Sequence, residues 1–543
     1  MNKNNKFMTV IFSIFIILFS FAVTPLEFQN DTFYTIKIGE KIDTDGIDMK
    51  DPFSIHENLD YTYPHWLYDF ATYKVYALGG FKAVYMATGI LSSILGLTIF
   101  LCNKKLCKNS IVSLIVSLFT IFLLRGFLTA RAQLVTFILF ALEYYLIERF
   151  VEKKKIIYAV FLFIISILIV NIHSAVWPFF FILFLPHIGT QLWMWLTDKL
   201  YIDNSIVKAY EKEINQLKKK DSSSERIKEL EEKMKIEIAN RDARIKARMQ
   251  SRENPYKIVA DLNNNSFYLI LVMLLCILAG FICPLGPNVP FTYLIRTIIG
   301  NTTHYISEHL PVVLVKRPTL IIFSVIFGWL FLFKDLKLRL SDFFLVSGLS
   351  LLTIFSGRQE SMLILLGSFP LARLIKEYLI PNEEIDKKIN NFISSNKKVY
   401  LYAGILLTFM TLPTIANNLQ SRFIDYTKYP VDATTYIKEN LDVNNIRLFN
   451  EYNFGSYLLL NDIPVFIDSR ADLYAPEFNS ECTVFTDYMK VHTMKIYPET
   501  IFEKYNITHI ILSNDSIIHT VVDGSGMYNK IYTDDYFSIY ERN

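Results

Sequence analysis

Blocks of about 20 apolar residues, the length that crosses roughly 30 Å of hydrocarbon as a helix, recur along most of this 543-residue chain. They constrain its fold more than any other feature. Only 20% of the residues are charged and 52% are hydrophobic, which is typical of a polytopic membrane protein. We predict eleven spans, at Phe7–Thr24, Leu78–Leu101, Ile111–Phe127, Gln133–Phe150, Ile156–Asn171, Ala175–Leu196, Phe267–Cys283, Thr319–Phe333, Ser341–Phe355, Gln359–Ile375 and Val399–Ile415.

Basic residues alternate between the spans in a pattern that predicts the topology in the cell membrane. Lys3 and Lys6 precede the first span, which we interpret as a retained signal anchor because its cleavage-site signal is weak. Positive residues favour the cytoplasmic side, so the N-terminus is predicted to be cytoplasmic and the C-terminal domain extracytoplasmic. The later basic groups on the cytoplasmic side are Lys104-Lys105-Lys108, Lys153-Lys154-Lys155, Lys334/Lys337/Arg339 and Lys397-Lys398.

The spans divide the chain into four predicted regions. An N-terminal transmembrane module, 1–197, contains a first external loop at 25–77, and a second module, 263–417, contains an external loop at 284–318. Three prolines in Pro284–Pro290 predict that no regular helix runs there. The cytoplasmic insertion at 198–262 and the C-terminal domain at 418–543 complete the division.

The insertion and the C-terminal domain have different patterns. In the insertion, apolar residues from Ile227 to Met249 recur at spacings of three, four and seven, which predicts a helical hairpin or short coiled coil. It is either a solvated structural arm or a docking arm for a partner. The C-terminal domain is predicted to be a small α/β unit, with strands at 446–449, 464–467, 509–512 and 536–540 and helices at 431–440 and 497–505.

Several kinds of site are missing from the sequence. It contains no GxGxxG and no P-loop, so no nucleotide site is predicted. Its five cysteines have no metal-binding spacing, and its net charge of +3 is spread over segregated groups that do not indicate nucleic acid binding. The sequence leaves a divalent metal open.

Ionisable residues within or beside membrane spans are costly, and this makes them candidates for function. In the predicted topology a set of them converges on the outer face. Each also has a structural interpretation: the acids suit a helix N-cap or an Asx turn, the arginines suit interfacial anchors, and the remaining groups suit interfacial or solvated loop positions. The catalytic candidates are Asp31 and Asp51, and the candidates for binding substrate or lipid phosphate are His65, Arg125, Arg131, His173, Glu308 and Arg358.

These residue types suit sugar transfer from a lipid-linked phosphate. A carboxylate takes the proton from an acceptor hydroxyl as the glycosidic bond forms. Arginine offers a planar fork to the oxygens of the departing phosphate, and aromatic rings provide flat faces for sugars. Such a donor is already activated, which agrees with the missing nucleotide motifs.

Seven short segments of the first loop, the later spans and the tail form an ordered pattern. They are Asp31-Thr-Phe-Tyr, Asp51-Pro-Phe-Ser, His65-Trp-Leu67, Arg131-Ala-Gln133, Asn171-Ile-His173, Asn450-Glu-Tyr-Asn-Phe-Gly455 and Pro464-Val-Phe-Ile-Asp468-Ser-Arg470-Ala-Asp472. In order and spacing this pattern, which covers most of the chain except the insertion, resembles bacterial multi-spanning GT-C glycosyltransferases, and most of all the branch related to protein mannosyltransferases and aminoarabinose transferases. The resemblance implies that Asp31 is the catalytic base, that Asp51 is a second acid, and that the donor is a polyprenyl-phosphate sugar. Many members have two adjacent acids in the first loop, whereas here Asn30 precedes Asp31.

The predicted function is therefore that of an integral membrane glycosyltransferase with an α-helical, GT-C-like fold. Its predicted partners are membrane lipid, a polyprenyl-phosphate sugar, and a glycan, lipid or protein acceptor in the cell envelope. The alternative is a non-catalytic GT-C-like scaffold or polymer-assembly partner, in which the tail and the cytoplasmic arm provide contacts. A transporter is disfavoured because the charges cluster at one face and the sequence has no internal repeat.

Overall fold

The computed structural model describes residues 3–201, 205–219, 224–256, 258–259, 265–299, 311–313, 317–333, 336–380, 384–385, 388 and 395–543. The described part of the chain is mostly helical, with one short two-stranded pairing in its middle and a four-stranded sheet near its C-terminus. Residues 3–201 form eight α-helices: α1 Lys3–Ala22, α2 Asn30–Thr44, α3 Trp66–Cys107, α4 Ser110–Leu124, α5 Ala132–Lys153, α6 Ile156–Ile172, α7 Trp177–Ile182 and α8 Leu185–Tyr201.

The first loop contains a helix that the sequence did not predict. Helix α2 packs so closely along α3 that a Cβ atom on Gly39 would lie 2.1 Å from the backbone oxygen of Asp69. Phe33 and Ile38 on its buried face are fully enclosed, so tertiary packing rather than local pattern stabilises this helix. Helix α3 is kinked at Gly79 and Gly80, the second with a φ of 62°, close to the predicted start of the second span.

The predicted insertion contains two helices that pack against each other, α9 Ser205–Lys219 and α10 Ser224–Tyr256. Ile214 and Leu230 are buried between them, and Lys218 pairs with Glu231 at 2.9 Å. Strand β1, Ile258–Val259, pairs in parallel with β2, Leu338–Arg339, which directly precedes the helix that begins at Leu340. A coiled coil in the strict sense stays a prediction.

Among the described residues between 265 and 418 there are six α-helices, α11 Ser266–Ile277, α12 Asn288–Ile299, α13 Pro318–Phe333, α14 Leu340–Phe355, α15 Glu360–Leu379 and α16 Lys397–Asn418. The prediction that no regular helix runs through Pro284–Pro290 is wrong at its end, because α12 begins at Asn288. Pro290 then lies in the first turn of α12. Amides in this turn have no intrahelical acceptor, so the N–H that proline lacks costs no hydrogen bond there.

Three helices among the described residues are long and apolar enough to cross a membrane: Trp66–Cys107, Ser110–Phe127 and Ser174–Leu196. Five shorter apolar helices, Phe7–Ala22, Ile156–Ile172, Ser266–Phe281, Pro318–Leu330 and Leu340–Phe355, coincide with further predicted spans. Two of the remaining predicted spans lie within α5 and α16, and the third, Gln359–Ile375, begins one residue before α15. The number of eleven spans and their orientation stay predictions.

The C-terminal domain has a four-stranded sheet in the order β3-β4-β6-β5, built from β3 Leu448–Asn450, β4 His509–Ser513, β5 Tyr528–Thr533 and β6 Phe537–Arg542. Strand β3 is parallel to β4, and the other two pairings are antiparallel. Its helices are α17 Val431–Asn440, α18 Gly455–Leu460, α19 Val484–His492, α20 Pro498–Lys504 and α21 Ile517–Ser525.

The predicted strand at 464–467 is not part of this sheet. It pairs instead with the first loop, where the Ile55 amide donates to the Val465 oxygen at 2.9 Å and the Val465 amide donates to the Phe53 oxygen at 3.2 Å. The ring of Phe33 in α2 packs edge-on against Tyr429 and Tyr457 of the domain, at centroid distances of 4.8 and 5.3 Å. The first loop and the C-terminal domain therefore share one apolar core.

Candidate active site

A cavity of about 380 Å³ lies where the first loop, the ends of several bundle helices and the C-terminal domain meet. Its walls come from parts of the chain that are far apart in sequence, which is why the shared core of the first loop and the domain matters for the site. The lining residues are Gln29, Asn30, Asp31, Tyr34, Asp60, Tyr61, Thr62, Pro64, His65, Arg131, His173, Ala175, Tyr293, Arg358, Tyr452, Asn453, Ser469, Arg470, Ala471, Asp472, Leu473 and Phe478.

Asp31 lies in the first turn of α2 and forms an ion pair with Arg131. The carboxylate Oδ2 is 2.5 Å from Arg131 Nη2, and both side chains are 21% exposed. Arg131 is the residue that precedes α5, and its Nη1 also donates to Gln29 Oε1 at 3.3 Å. The Thr32 hydroxyl donates to the Ala130 oxygen at 3.1 Å, so α2 and the start of α5 are fixed to each other at this point.

His65 and His173 face each other beside this pair, with ring centroids 4.6 Å apart and planes at 69°. The Ser174 amide donates to the Pro64 oxygen at 3.0 Å, which connects the two segments that carry the rings. Burial, reinforced by Arg358 and Arg131 and opposed by Asp31, lowers the pKa of His65 to about 4. Burial, with His65 and the same arginines, lowers the pKa of His173 well below its ordinary value. Both imidazoles are therefore neutral near pH 7 and can accept or donate a hydrogen bond.

Arg358 completes this end of the cavity. It lies in a short 3-10 turn, Gly357–Gln359, that leads into α15. Asp31, His65, Arg131, His173 and Arg358 together line a small recess of about 40 Å³ that adjoins the main cavity. Five of the eight residues proposed from the sequence thus meet at one place.

Asp51 lies elsewhere, beneath the cavity wall. Its side chain is fully buried, and Oδ1 is 2.7 Å from Arg470 Nη1, whereas Arg470 Nη2 is 2.6 Å from Asp468 Oδ2. Although burial acts in the opposite direction, Arg470 and the Ser54 hydrogen bonds hold the pKa of Asp51 below its ordinary value. The Asx turn considered for this residue is present, since the Ser54 amide donates to Oδ2 at 2.9 Å.

Two further candidates are not in the cavity as described. Arg125 is exposed, with its guanidinium 4.4 Å from the centre of the Phe122 ring, which is the geometry of an interfacial anchor. Glu308 lies outside the described residues. No group of three or more His, Cys, Asp or Glu side chains in the described part of the chain is arranged to hold a metal ion.

Sequence reasoning did not select several residues of the cavity wall. Arg470 and Asp472 belong to a segment that the resemblance had matched, but no role was given to them. Tyr293 lies on α12, in the second predicted external loop, and no role was predicted for it. The Asp-Ser-Arg-Ala-Asp run in a mostly apolar segment was the signal that could have identified the first two.

The comparisons with known proteins bear on the fold and not on the geometry of the site. No protein-family model matches the chain, and no curated protein matches it. One similar solved structure is the oligosaccharyltransferase AglB from Archaeoglobus fulgidus in complex with an inhibitory peptide and a dolichol-phosphate. Its TM-score is 0.52 at 11% identity, and the match covers 94% of this chain and 70% of AglB. The Archaeoglobus fulgidus oligosaccharyltransferase in its apo form matches with a TM-score of 0.53 at 10% identity, over 93% and 69% of the two chains.

The finer relation to protein mannosyltransferases and aminoarabinose transferases stays a prediction. At such low identity the likeness shows the architecture and not the activity. The chain therefore has a fold similar to that of the Archaeoglobus fulgidus oligosaccharyltransferase.

Proposed function

We propose that this protein is a multi-pass membrane glycosyltransferase that transfers a sugar from a polyprenyl-phosphate donor to an acceptor of the cell envelope, on the outer face of the membrane. The observation that carries the proposal is the cavity in which a carboxylate, two arginines and two neutral histidines meet. The AglB structure that the fold resembles is in complex with a dolichol-phosphate and a peptide, which is consistent with a lipid-phosphate donor and a separate acceptor here.

Asp31 acts as the general base. The acceptor hydroxyl oxygen attacks the anomeric carbon of the donor, the bond from that carbon to the phosphate oxygen breaks, and the phosphate leaves with the electron pair. The acceptor proton passes to the Asp31 carboxylate. Arg131 and Arg358 stabilise the departing phosphate, and His65 and His173 provide neutral hydrogen-bonding groups beside it.

The other predicted residues have supporting roles in this proposal. Asp51 acts indirectly, because it holds Arg470 in the cavity wall. Arg125, which is exposed in the same connection between α4 and α5 as Arg131, binds the headgroups of surrounding lipid rather than the donor. The predicted topology, with a cytoplasmic N-terminus, places the cavity and the C-terminal domain outside.

The direct test is turnover of the purified protein with polyprenyl-phosphate sugars and an envelope extract as acceptor. Asp31→Asn is expected to lower turnover by about 100-fold or more, because general-base catalysis typically contributes that much. Asp45→Asn, which changes an exposed acid just after the same helix, serves as the matched control and should retain turnover. Full turnover in Asp31→Asn contradicts the assignment of the base. Absence of turnover in the wild type, together with envelope binding by the C-terminal domain, favours the scaffold alternative.

A further inference from the structure

The segment Asn450–Gly455, which we call the tail loop, leads from the end of β3 into α18. Asn450 is fully buried, and its Nδ2 donates to the Ile467 oxygen at 2.7 Å while its Oδ1 accepts from the Phe466 amide at 2.8 Å. At the other end, a Cβ atom on Gly455 would lie 2.0 Å from the same Ile467 oxygen. The tail loop is therefore fixed at both ends against the segment that pairs with the first loop.

Tyr452, in the middle of the tail loop, presents its backbone oxygen to the first loop. The Tyr488 hydroxyl donates to the Tyr452 amide at 3.0 Å, and the Tyr452 hydroxyl donates to the Ser469 oxygen at 3.2 Å. These two bonds fix the backbone and the side chain of Tyr452. Asn30 Nδ2 donates to the Tyr452 oxygen at 2.8 Å, so the acceptor of this bond is held in place by the C-terminal domain.

The contact requires an amide at position 30. A backbone oxygen can only accept a hydrogen bond, and an ionised aspartate, which has the same size as asparagine, cannot donate one. The Oδ1 atom of Asn30 is buried and has no hydrogen-bond partner among the described residues. The side chain of Asn30 therefore serves as a donor to the tail loop.

The start of α2, which carries Asp31 in its first turn, is not fixed by its own sequence. Helix starts are commonly fixed by a short polar side chain at the N-cap, but Gln29 occupies that position and makes no capping hydrogen bond with its side chain. The preceding residue is held by the C-terminal domain instead, because the Phe28 amide donates to the Phe423 oxygen at 3.2 Å and the Tyr429 hydroxyl donates to the Phe28 oxygen at 3.3 Å. Contacts with this domain therefore help to set the position of Asp31.

We propose that Asn30 is a positioning residue, through which the tail loop holds the Asp31 carboxylate in place for proton transfer. The inference rests on the proposed function, because it concerns the base of that same reaction. Asn30 forms and breaks no covalent bond. Its contact limits displacement of the base, and a displacement of about 1 Å can lower a rate by about 100-fold. The C-terminal domain is then part of the catalytic centre.

The test measures turnover per donor-binding site on the purified full-length protein, since unfolded molecules bind no donor. Titration with polyprenyl phosphate gives the number of sites and the Kd. Asn30→Ala removes the hydrogen-bond donor and is expected to lower kcat per site by about tenfold to 100-fold. The Kd should stay within about threefold, because Arg131 and Arg358 are presented by the starts of α5 and α15. Asn30→Asp, which cannot donate, should lose at least as much kcat and keeps the test informative if the alanine variant does not fold.

A matched control and a second measurement make the result specific. Lys428→Gln removes an exposed ion pair with Glu27, 2.9 Å long, at the same junction of the first loop and the domain, and should leave kcat and Kd unchanged. Hydrogen exchange of the amides at 33–37 should become about tenfold faster in Asn30→Ala, since one hydrogen bond contributes up to that factor, and should not change in Lys428→Gln. An unchanged kcat per site in Asn30→Ala overturns the inference, as does an equal loss in Lys428→Gln.

This design separates the inference from the proposed function. If the wild type transfers no sugar, the transferase function fails and hydrogen exchange alone decides the inference: faster exchange in Asn30→Ala supports the hold of the tail loop on Asp31, and unchanged exchange overturns it. If sugar is transferred and Asn30→Ala keeps the kcat of the wild type, the positioning role is wrong and the transferase function stands.

Discussion

In the proposed reaction Arg131 has two partners, the Asp31 carboxylate and the donor phosphate. In the structure its guanidinium binds the carboxylate of the proposed base, at 2.5 Å. A donor phosphate that enters the recess competes for the same guanidinium, and the carboxylate is then left to accept the proton of the acceptor. In the proposed reaction, donor binding and activation of the base are therefore coupled. The Asp31 carboxylate stays paired with Arg131 until the donor phosphate binds the guanidinium.

Replacement of Arg131 tests this role at the scale of a single residue. Arg131→Gln is expected to lower kcat/KM for the polyprenyl-phosphate donor by about tenfold to 100-fold, because it removes a charge-assisted hydrogen bond to phosphate. Arg125→Gln is a close control, since Arg125 lies six residues earlier in the connection between α4 and α5 and is exposed outside the cavity. Steady-state kinetics with varied donor concentration measures both. An equal loss in the two variants argues against a specific role for Arg131.

Several candidate residues that lie beside predicted spans come together in the structure, although their roles stay predictions. Asp31, Arg131, His173 and Arg358 each lie beside a predicted span and on the same predicted face, so a common location followed from the topology. Asp51 could not be placed in this way. Its partner Arg470 is 419 residues away in the chain, and only the packing of the first loop on the C-terminal domain brings the two together.

At the scale of elements, the first loop is best understood as part of the C-terminal domain. His56 lies at their contact, where its Nε2 is 2.8 Å from the Phe466 oxygen and its ring packs edge-on against Phe466, Tyr474 and Tyr505. The sequence did not predict α2 or β5, because packing defines the first and the second is a largely polar edge strand. Elements with a clear apolar or alternating pattern, such as β4 and α17, were predicted close to their observed bounds.

His56 makes this contact sensitive to acid. Burial, opposed by the Phe466 hydrogen bond, lowers the pKa of His56 to about 4 from 6.5. Between these pH values the unfolded chain binds more protons than the folded one, so stability falls as the pH falls from 6.5 towards 4. The loss from one such group is at most about 1.4 kcal/mol for each pH unit.

The prediction compares thermal unfolding at pH 7 and pH 5. The melting temperature of the wild type should fall on acidification, and that of His56→Gln should fall less, because the amide keeps a donor without titrating in this range. His65 and His173 shift in the same direction, so part of the acid sensitivity remains in the variant. His492→Gln, at an exposed position, should follow the wild type. An identical pH dependence in wild type and His56→Gln means that His56 does not couple the contact to pH.

At the scale of the whole molecule, a second polar cluster lies at the opposite ends of the two helices that present the arginines. Arg131 precedes α5 and Glu148 lies 17 residues further on, which is about 25 Å along the helix axis. Arg358 similarly precedes α15, which carries Arg373. The cluster joins α5 and α15 to α14 and α8, through Glu148, Asp342, Arg339, Arg373, His187 and Tyr144.

The contacts of this cluster are short and largely buried. Arg339 Nη2 is 2.7 Å from Glu148 Oε1, and both Arg339 Nε and Arg373 Nε donate to Asp342 Oδ2 at 3.0 Å. Asp342 is almost fully enclosed, with its side chain 3% exposed. Such a network fixes the relative positions of α5 and α15 at one end, and this in turn sets the spacing of Arg131 and Arg358 at the other.

Arg373→Leu tests this coupling between the two ends of the bundle. Removal of one partner leaves Asp342 buried with half of its pairing lost, which typically costs about 3–5 kcal/mol. The donor kcat/KM should also fall by about tenfold, since a displaced arginine loses part of its contact with the phosphate. Denaturant unfolding and donor kinetics on the same preparations measure the two effects.

The double variant Arg373→Leu with Asp342→Leu separates pairing from packing. Because it removes the buried charge together with its partner, it should recover part of the lost stability, and the double-mutant cycle should give a coupling energy above about 0.5 kcal/mol. Lys376→Leu, on the next turn of α15, controls for the change in charge on that helix. If Arg373→Leu destabilises the bundle but leaves donor kcat/KM unchanged, the network stabilises the helices without setting the spacing of the arginines, and the positions of Arg131 and Arg358 depend on the first loop and the C-terminal domain alone.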